Sequence, residues 1–415
     1  MKKLIYVVFV VAASMVSCGG NVSELLIDSV RFNGPDEIRL QVGESIMLSV
    51  DAPSKLDAEY TWVYAKNVIG TGKSIDFSQS SPGSGILTVI IRDSDKHLRS
   101  FERKVFVTRV TSYKIVGYLP SYRTNLSVVQ WDKLTHLNLA FARINADGSL
   151  NDTQVRARFA GLSKTARANG VRLVLSLGGG GGQDEQDAFS ACLTDKDART
   201  LMVDNVLQTV RDLSLDGVDI DYEGWAWGSS DANVARQKGL LDVVSMFRKA
   251  LPDGVVSAAL SGNALQNGWY SKDIFDQLDY VTLMAYDKTG TWSSEIGPHA
   301  PYDYFVQLCE TCTEQGIPGE KIVPGVPFYG RAFPYGKTAN ARDYSYSEIV
   351  SAYPGAENKN AVEADYLWYD GLPMIADKCD YVKANSLGGI MIWEITMDSA
   401  DASKSLLAAI NTNFN

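Results

Sequence analysis

The hydrophobic positions of this chain change their period once along its length. Within residues 22–110 they alternate: Ile38, Leu40 and Val42 are separated by Arg39 and Gln41, and Ile46, Leu48 and Val50 repeat the two-residue spacing. Residues 60–64, 86–91 and 104–110 continue the pattern, with turn-rich pieces such as Ser-Pro-Gly-Ser-Gly at 81–85 between them. Several short alternating runs without a helical period predict a small all-β sandwich, with Trp62 as its core tryptophan.

After Thr111 the texture changes. Apolar runs at 113–117, 134–141, 171–177, 217–222, 255–260, 280–286, 321–328 and 389–393 predict buried strands. Between them, 155–169, 200–213 and 237–251 carry helical spacing, and a last helix is predicted over 402–411. Strands that alternate with helices over such a length fit an α/β fold, a (β/α)8 TIM barrel occupying 111–415. An open Rossmann-type sheet is the competing form. The glycine run after Leu177 is no dinucleotide fingerprint, because the spacing and the acidic residue that should follow are wrong.

Composition narrows the function. With 39 basic and 49 acidic residues the net charge is -10, which argues against nucleic acid as a partner. The three histidines, His97, His136 and His299, are scattered, so a histidine-built zinc site is not expected, and no phosphate-loop motif is present. Residues 1–17 combine Lys2 and Lys3 with a short apolar stretch, the form of an export signal rather than a membrane span. Cys18 follows directly, and its setting resembles a bacterial lipoprotein box, although Met15 stands where a leucine is usual. That resemblance implies a lipid-anchored Cys18 and a cell-envelope protein at the outer membrane or cell surface; several acyl chains hold better than one. Cys192, Cys309, Cys312 and Cys379 read as buried free thiols, since the single Cys-x-x-Cys pair has no second pair to complete a metal site.

The chemistry concentrates in Leu-Asp-Gly-Val-Asp-Ile-Asp-Tyr-Glu-Gly-Trp-Ala-Trp-Gly, residues 215–228. Strand side chains two apart share a face, so Asp219, Asp221 and Glu223 line one side, toward the axis in a barrel. Three converging acids repel one another and lose solvation, which raises the pKa of at least one. A carboxyl kept protonated near neutrality is what a glycosidic oxygen needs from a proton donor. Glu223, last in the series and nearest the C-terminal mouth, is the candidate; a calcium loop would need more oxygen ligands at loop spacing.

The segment 216–223 resembles the DxxDxDxE signature of glycoside hydrolase family 18, the chitinases and endo-β-N-acetylglucosaminidases. Ser-Leu-Gly-Gly at 176–179, Leu-Met-Ala-Tyr-Asp at 283–287, Pro-Phe-Tyr-Gly-Arg at 327–331 and Gly-Gly-Ile-Met-Ile-Trp at 388–393 resemble that family's other strand motifs, in order, across residues 113–415. The resemblance implies retaining, substrate-assisted hydrolysis of β-1,4-linked N-acetylglucosamine glycans, in which the substrate's acetamide oxygen attacks the anomeric carbon. It gives Glu223 the role of proton donor and then water activator. Asp221 would orient the acetamide, Asp219 would hold Asp221, and Tyr286 would donate to the acetamide oxygen. Asp287 would bind sugar or support the acid, and Trp393 would be the apolar floor under the sugar. Asp216 and Ser176 are read as support. Tyr118, Phe141, Gly179, Trp225, Trp227, Trp292, Tyr329 and Arg331 complete the candidate substrate contacts.

The family's deep-cleft processive members carry a larger α/β insertion than the fewer than 50 residues between Arg331 and Lys378, which implies a shallower, more open cleft here. Chitin-type polymers head the substrate expectation, with the chitobiose core of N-glycans as the alternative and a non-catalytic glycan-binding barrel as a third reading. Residues 18–110 resemble an immunoglobulin-like or PKD-like module, a spacer or else a binding module. No metal or organic cofactor is implied, and a monomer is expected.

Overall fold

A computed structural model describes residues 22–108, 113–123, 125–126, 129–227 and 230–415. Cys18 and the segment 1–17 lie outside the described residues, as does the join at 109–112. The chain forms two compact units, one ending at Val107 and the other beginning at Thr108.

The first unit holds two antiparallel sheets. One has three strands, in the order Arg31–Asn33, Ser45–Asp51, Ser74–Ser78. The other has five, in the order Glu37–Gln41, Leu98–Thr108, Gly83–Asp93, Ala58–Tyr64, Asn67–Thr71. Leu48, Val50 and Phe77 from the smaller sheet join Ile38, Trp62, Leu87, Val89 and Val105 from the larger in one core. The two-residue alternation forces this, because burying one face of each strand exposes every intervening polar residue. Trp62 is fully buried, with its indole N–H donating to the Gly72 carbonyl at 2.9 Å. The absence of helix expected here is corrected by a short helix, Val22–Asp28, which anchors itself through the buried Ile27.

The second unit is a closed barrel of eight parallel strands: β1 (Lys114–Pro120), β2 (His136–Ile144), β3 (Arg172–Gly178), β4 (Gly217–Asp221), β5 (Val255–Ser261), β6 (Tyr280–Met284), β7 (Ile322–Pro327) and β8 (Gly389–Trp393). β1 pairs with both β2 and β8, which closes the ring and excludes the open sheet. Strand alternation now separates two apolar layers. Leu173, Leu175, Val218, Ile220, Val256 and Ile390 point outward under the helices. Val116, Tyr118, Val174, Val255, Tyr280, Val323 and Met391 fill the barrel interior. The single helix expected over 155–169 is two, Thr153–Phe159 and Leu162–Ala168, because Gly161 takes φ +82° between them. Cys192, Cys309, Cys312 and Cys379 are free and buried, and burial pushes the Cys192 thiol up to about 11.

Between β7 and β8 the chain builds a small insertion. Tyr329–Ala332, Arg342–Ser345, Ala361–Val362 and Leu367–Trp368 form a four-stranded antiparallel sheet, and the helix Tyr346–Ala352 packs beside it. Ser345 caps that helix reciprocally with Glu348.

Candidate active site

The register of the central strands places a layer of small hydroxyls around Asp219. Ser176 on β3 and Ser257 on β5 are its direct cross-strand neighbours. Their hydroxyls donate to Asp219 at 2.8 and 2.7 Å, and Tyr118 donates from across the barrel at 2.8 Å. Burial raises the Asp219 pKa, and these donors pull against the rise without cancelling it. Ser176 is therefore support for an acid, as expected. Tyr118, expected as a substrate contact, is buried, and its hydroxyl bonds to Asp219 and Thr282.

Two residues on, Asp221 ends β4. Its carboxyl is buried, and Oδ1 has no hydrogen-bond partner among the described residues. Burial, then the charges of Glu223 and Asp219, hold its pKa well above the usual carboxylate range, with Arg143 opposing. An unpartnered acceptor in a buried site is costly unless a donor arrives, so Asp221 is built to receive an N–H or a proton.

Glu223 stands just past the strand, at the mouth. Gly180 passes beside it, close enough that a β-carbon there would lie 3.4 Å from Oε1. Its pKa is pushed up to about 7 by burial and by the negative charge of Asp287, against the pull of Arg143. Desolvation is the larger cause, Asp287 at the end of β6 adds to it, and Glu223 and Asp221 repel each other. A carboxyl half-protonated near neutrality can both give and take a proton.

Asp287 itself is held ionised. It sits at φ +61°, just after β6. Burial opposes its charge, but His299 at 3.5 Å, Arg331 at 3.0 Å and the Tyr329 hydroxyl at 2.6 Å outweigh it and lower the pKa. Arg331 also forks onto Asp343, at 2.6 and 3.0 Å. Tyr329 and Arg331, expected as substrate contacts, are buried and hold Asp287. Next to Asp287, Tyr286 is buried, with the Met391 sulfur at 3.8 Å as its hydroxyl's recorded partner, a weak acceptor that leaves the O–H available to a stronger one.

Trp393, the expected apolar floor, pairs with a second ring. Phe141 stacks on Trp393 with centroids 5.6 Å apart and planes 21° apart. Gly179 gives Phe141 its place: at φ +75°, a β-carbon would stand 2.3 Å from the Phe141 ring. Two non-proline peptide bonds, Ala140–Phe141 and Trp393–Glu394, are cis.

The two tryptophans past Glu223 separate. Trp225 is 7% exposed, packed against Tyr222, Trp269 and Tyr270. Asn233 bonds both the N–H and the carbonyl of Ala226 and turns the chain between them, and Trp227 emerges 69% exposed. Trp292 is 63% exposed, with the Arg331 guanidinium 5.0 Å from its ring centre. Asp216 is not in the acid cluster; it accepts from the Leu173 N–H at the start of β3. Sequence reasoning missed Arg143, Ser257 and the role of His299. Arg143 donates to the carbonyls of Gly178, Gly179 and Gly180 and fixes the glycine loop beside the acids. Its only signal was an arginine two residues past the end of a buried run.

A closed barrel with an acidic strand ending in a proton-poised glutamate at its C-terminal mouth defines a carboxylate-based hydrolase site. The chain belongs to the glycosyl hydrolases family 18, which matches residues 114–398. It is similar to a chitinase-like effector of Moniliophthora roreri, 28% identical over 60% of this chain and 66% of that protein. It is also similar to Chitinase B of Serratia marcescens, 25% identical over 70% of this chain and 78% of that one. The chain thus spans just under two thirds of the first relative's length. A crystal structure of a chitinase from Bacteroides thetaiotaomicron superposes with TM-score 0.64 at 27% identity, covering 73% of this chain and 96% of that one.

Proposed function

We propose that this protein is a chitinase-like hydrolase of β-1,4-linked N-acetylglucosamine glycans that works by substrate assistance with retention. The observation that carries the reading is the buried Asp221 carboxyl with its unpartnered Oδ1, set between Asp219 and Glu223. An enzyme nucleophile would need an ionised oxygen open to the anomeric carbon, whereas Asp221 is held toward its protonated form in a closed setting, suited to the N–H of a 2-acetamido group. Glu223, with a pKa near 7, protonates the leaving oxygen and then takes a proton from the incoming water. Tyr286 donates to the acetamide oxygen as that oxygen attacks, and Asp219 keeps Asp221 in place through its three hydroxyl donors. The Trp393–Phe141 stack supplies the face on which the pyranose rests.

The relatives named above are chitinases or chitinase-like by name, which favours chitin-type polymers over the N-glycan core. Export with a lipid on Cys18 places this activity at the cell envelope, and the two-sheet unit is an immunoglobulin-like spacer ahead of the barrel. The test is hydrolysis of two matched aryl glycosides, one with a 2-acetamide and one with a 2-hydroxyl. Turnover of the acetamide alone is expected, together with inhibition by a thiazoline that imitates the cyclised intermediate. Equal turnover of both, or a sugar trapped on an aspartate, overturns the mechanism.

A further inference from the structure

The insertion between β7 and β8 has two faces, and only one serves the acidic centre. Cross-strand pairing sets Arg331 opposite Asp343, on the face that clamps Asp287. The same pairing sets Gly330 opposite Tyr344 and Ala332 opposite Arg342, on the other face, since successive residues alternate. That second face carries a cavity of about 660 Å³, within the range of small-molecule sites. Ala332 and Ile349 form its floor, and Tyr335, Tyr344, Tyr353 and Tyr366 its walls.

Four tyrosines around one groove are unusual for a surface that has only to be solvated. Tyr335 is 87% exposed and Tyr366 43%. Both are held in the left-handed backbone region, at φ 61° and 49°, which an aromatic residue rarely adopts. Their loops are tied together by the Phe333 N–H donating to the Tyr366 carbonyl at 3.0 Å. The hydroxyl of Tyr353 donates to Asp365 at 2.8 Å, and Ser345 donates to Glu348 at 2.7 Å, which engages one oxygen of each carboxylate. No Lys, Arg or His is among the described residues that line the cavity, whose two carboxylates disfavour an anionic ligand, while Arg342 stands beside it on the same face. Exposed ring faces beside hydroxyls and carboxylate acceptors suit a neutral, many-hydroxyl ligand whose apolar C–H faces stack while its O–H groups donate.

The geometry points to a second, non-catalytic glycan-binding groove on the outer face of the insertion, which holds a neutral N-acetylglucosamine chain while the barrel mouth cuts. The choice of that sugar rests on the proposed substrate; the groove's preference for a neutral glycan does not.

The test uses the full chain carrying Glu223→Gln, so that sugar is not consumed, titrated with a β-1,4-linked N-acetylglucosamine hexamer by calorimetry and by ligand-observed NMR. Two binding events are expected. Tyr335→Ala with Tyr366→Ala weakens one of them roughly tenfold or more, Tyr335→Phe with Tyr366→Phe keeps it, and Trp393→Ala weakens only the other. With Glu223 intact, the double alanine variant turns over a short aryl glycoside at the normal rate, which also shows that it is folded, yet adsorbs less to insoluble chitin. A single event, or a second event indifferent to Tyr335 and Tyr366, overturns the groove; binding of a glucose hexamer but not of the N-acetylglucosamine hexamer overturns the ligand assigned to it. A chain that cleaves no N-acetylglucosamine glycan but keeps the tyrosine-dependent event refutes the hydrolase reading and leaves the groove.

Discussion

Replacing Glu223 by glutamine separates catalysis from stability in a way that depends on pH. In the folded protein the carboxyl has a pKa of about 7, raised from 4.5 chiefly by burial and by Asp287. A raised carboxyl pKa means that the native state holds the proton more tightly than the unfolded chain. This stabilises the fold fully at low pH, and the contribution is lost as pH rises from about 4.5 through about 7. Above that, the native state carries the cost of an ionised, poorly solvated glutamate. A shift of about 2.5 units corresponds to at most about 3 kcal/mol. Glutamine keeps the shape and cannot ionise, so Glu223→Gln gains up to about 3 kcal/mol at pH 8 but under about 1 kcal/mol at pH 5, a difference of a few degrees in Tm. The same change removes the proton donor and lowers kcat by roughly 10²–10⁴-fold. Thermal unfolding of both proteins at the two pH values, with turnover on an aryl N-acetylglucosaminide, checks this. An equal Tm change at both pH values refutes the electrostatic account, and normal turnover in the folded variant removes Glu223 from the chemistry.

Further outcomes follow from the same geometry. The alkaline limb of kcat/KM lies near pH 7, because activity needs protonated Glu223; Asp287→Asn removes a charge that raises this pKa and moves the limb down, whereas Arg143→Gln moves it up, as pH–rate profiles will read. Tyr118→Phe removes one of three donors to Asp219 and costs about 1.5–3 kcal/mol of stability with roughly tenfold in kcat and little in KM, checked by denaturant unfolding and steady-state kinetics. Gly179→Ala forces a methyl into the Phe141 ring at a left-handed backbone position, so it destabilises by about 2 kcal/mol or more and raises KM by displacing the Trp393 floor. A shortened chain beginning near Thr111 turns over small soluble substrates at the full-length rate; a large loss in a well-folded product shows that the first unit helps build the site.

What the sequence determined by itself is local and periodic. Alternation put Asp219 and Asp221 on one face of β4, and the order of buried runs and helices gave eight parallel strands, because both follow from backbone geometry over a few residues. Tertiary structure decided what those faces meet. Ser257 reaches Asp219 because β5 pairs with β4 in this register, and Tyr118 reaches it because the barrel closes, bringing together residues far apart in the chain. His299, Arg331 and Asp343 become one clamp on Asp287 only because the insertion folds back as a sheet whose register selects its face. Trp225 and Trp227, equal in the sequence, part beyond the end of β4, where no ladder fixes alternation: Asn233 pins Ala226, one ring is buried in an aromatic cluster and the other lies exposed at that cluster's edge, against Trp269. Period specifies which way a side chain points from its own strand. Which charges, hydroxyls and rings stand opposite it is set by long-range pairing, and the burial and charges this brings raise the pKa of Glu223.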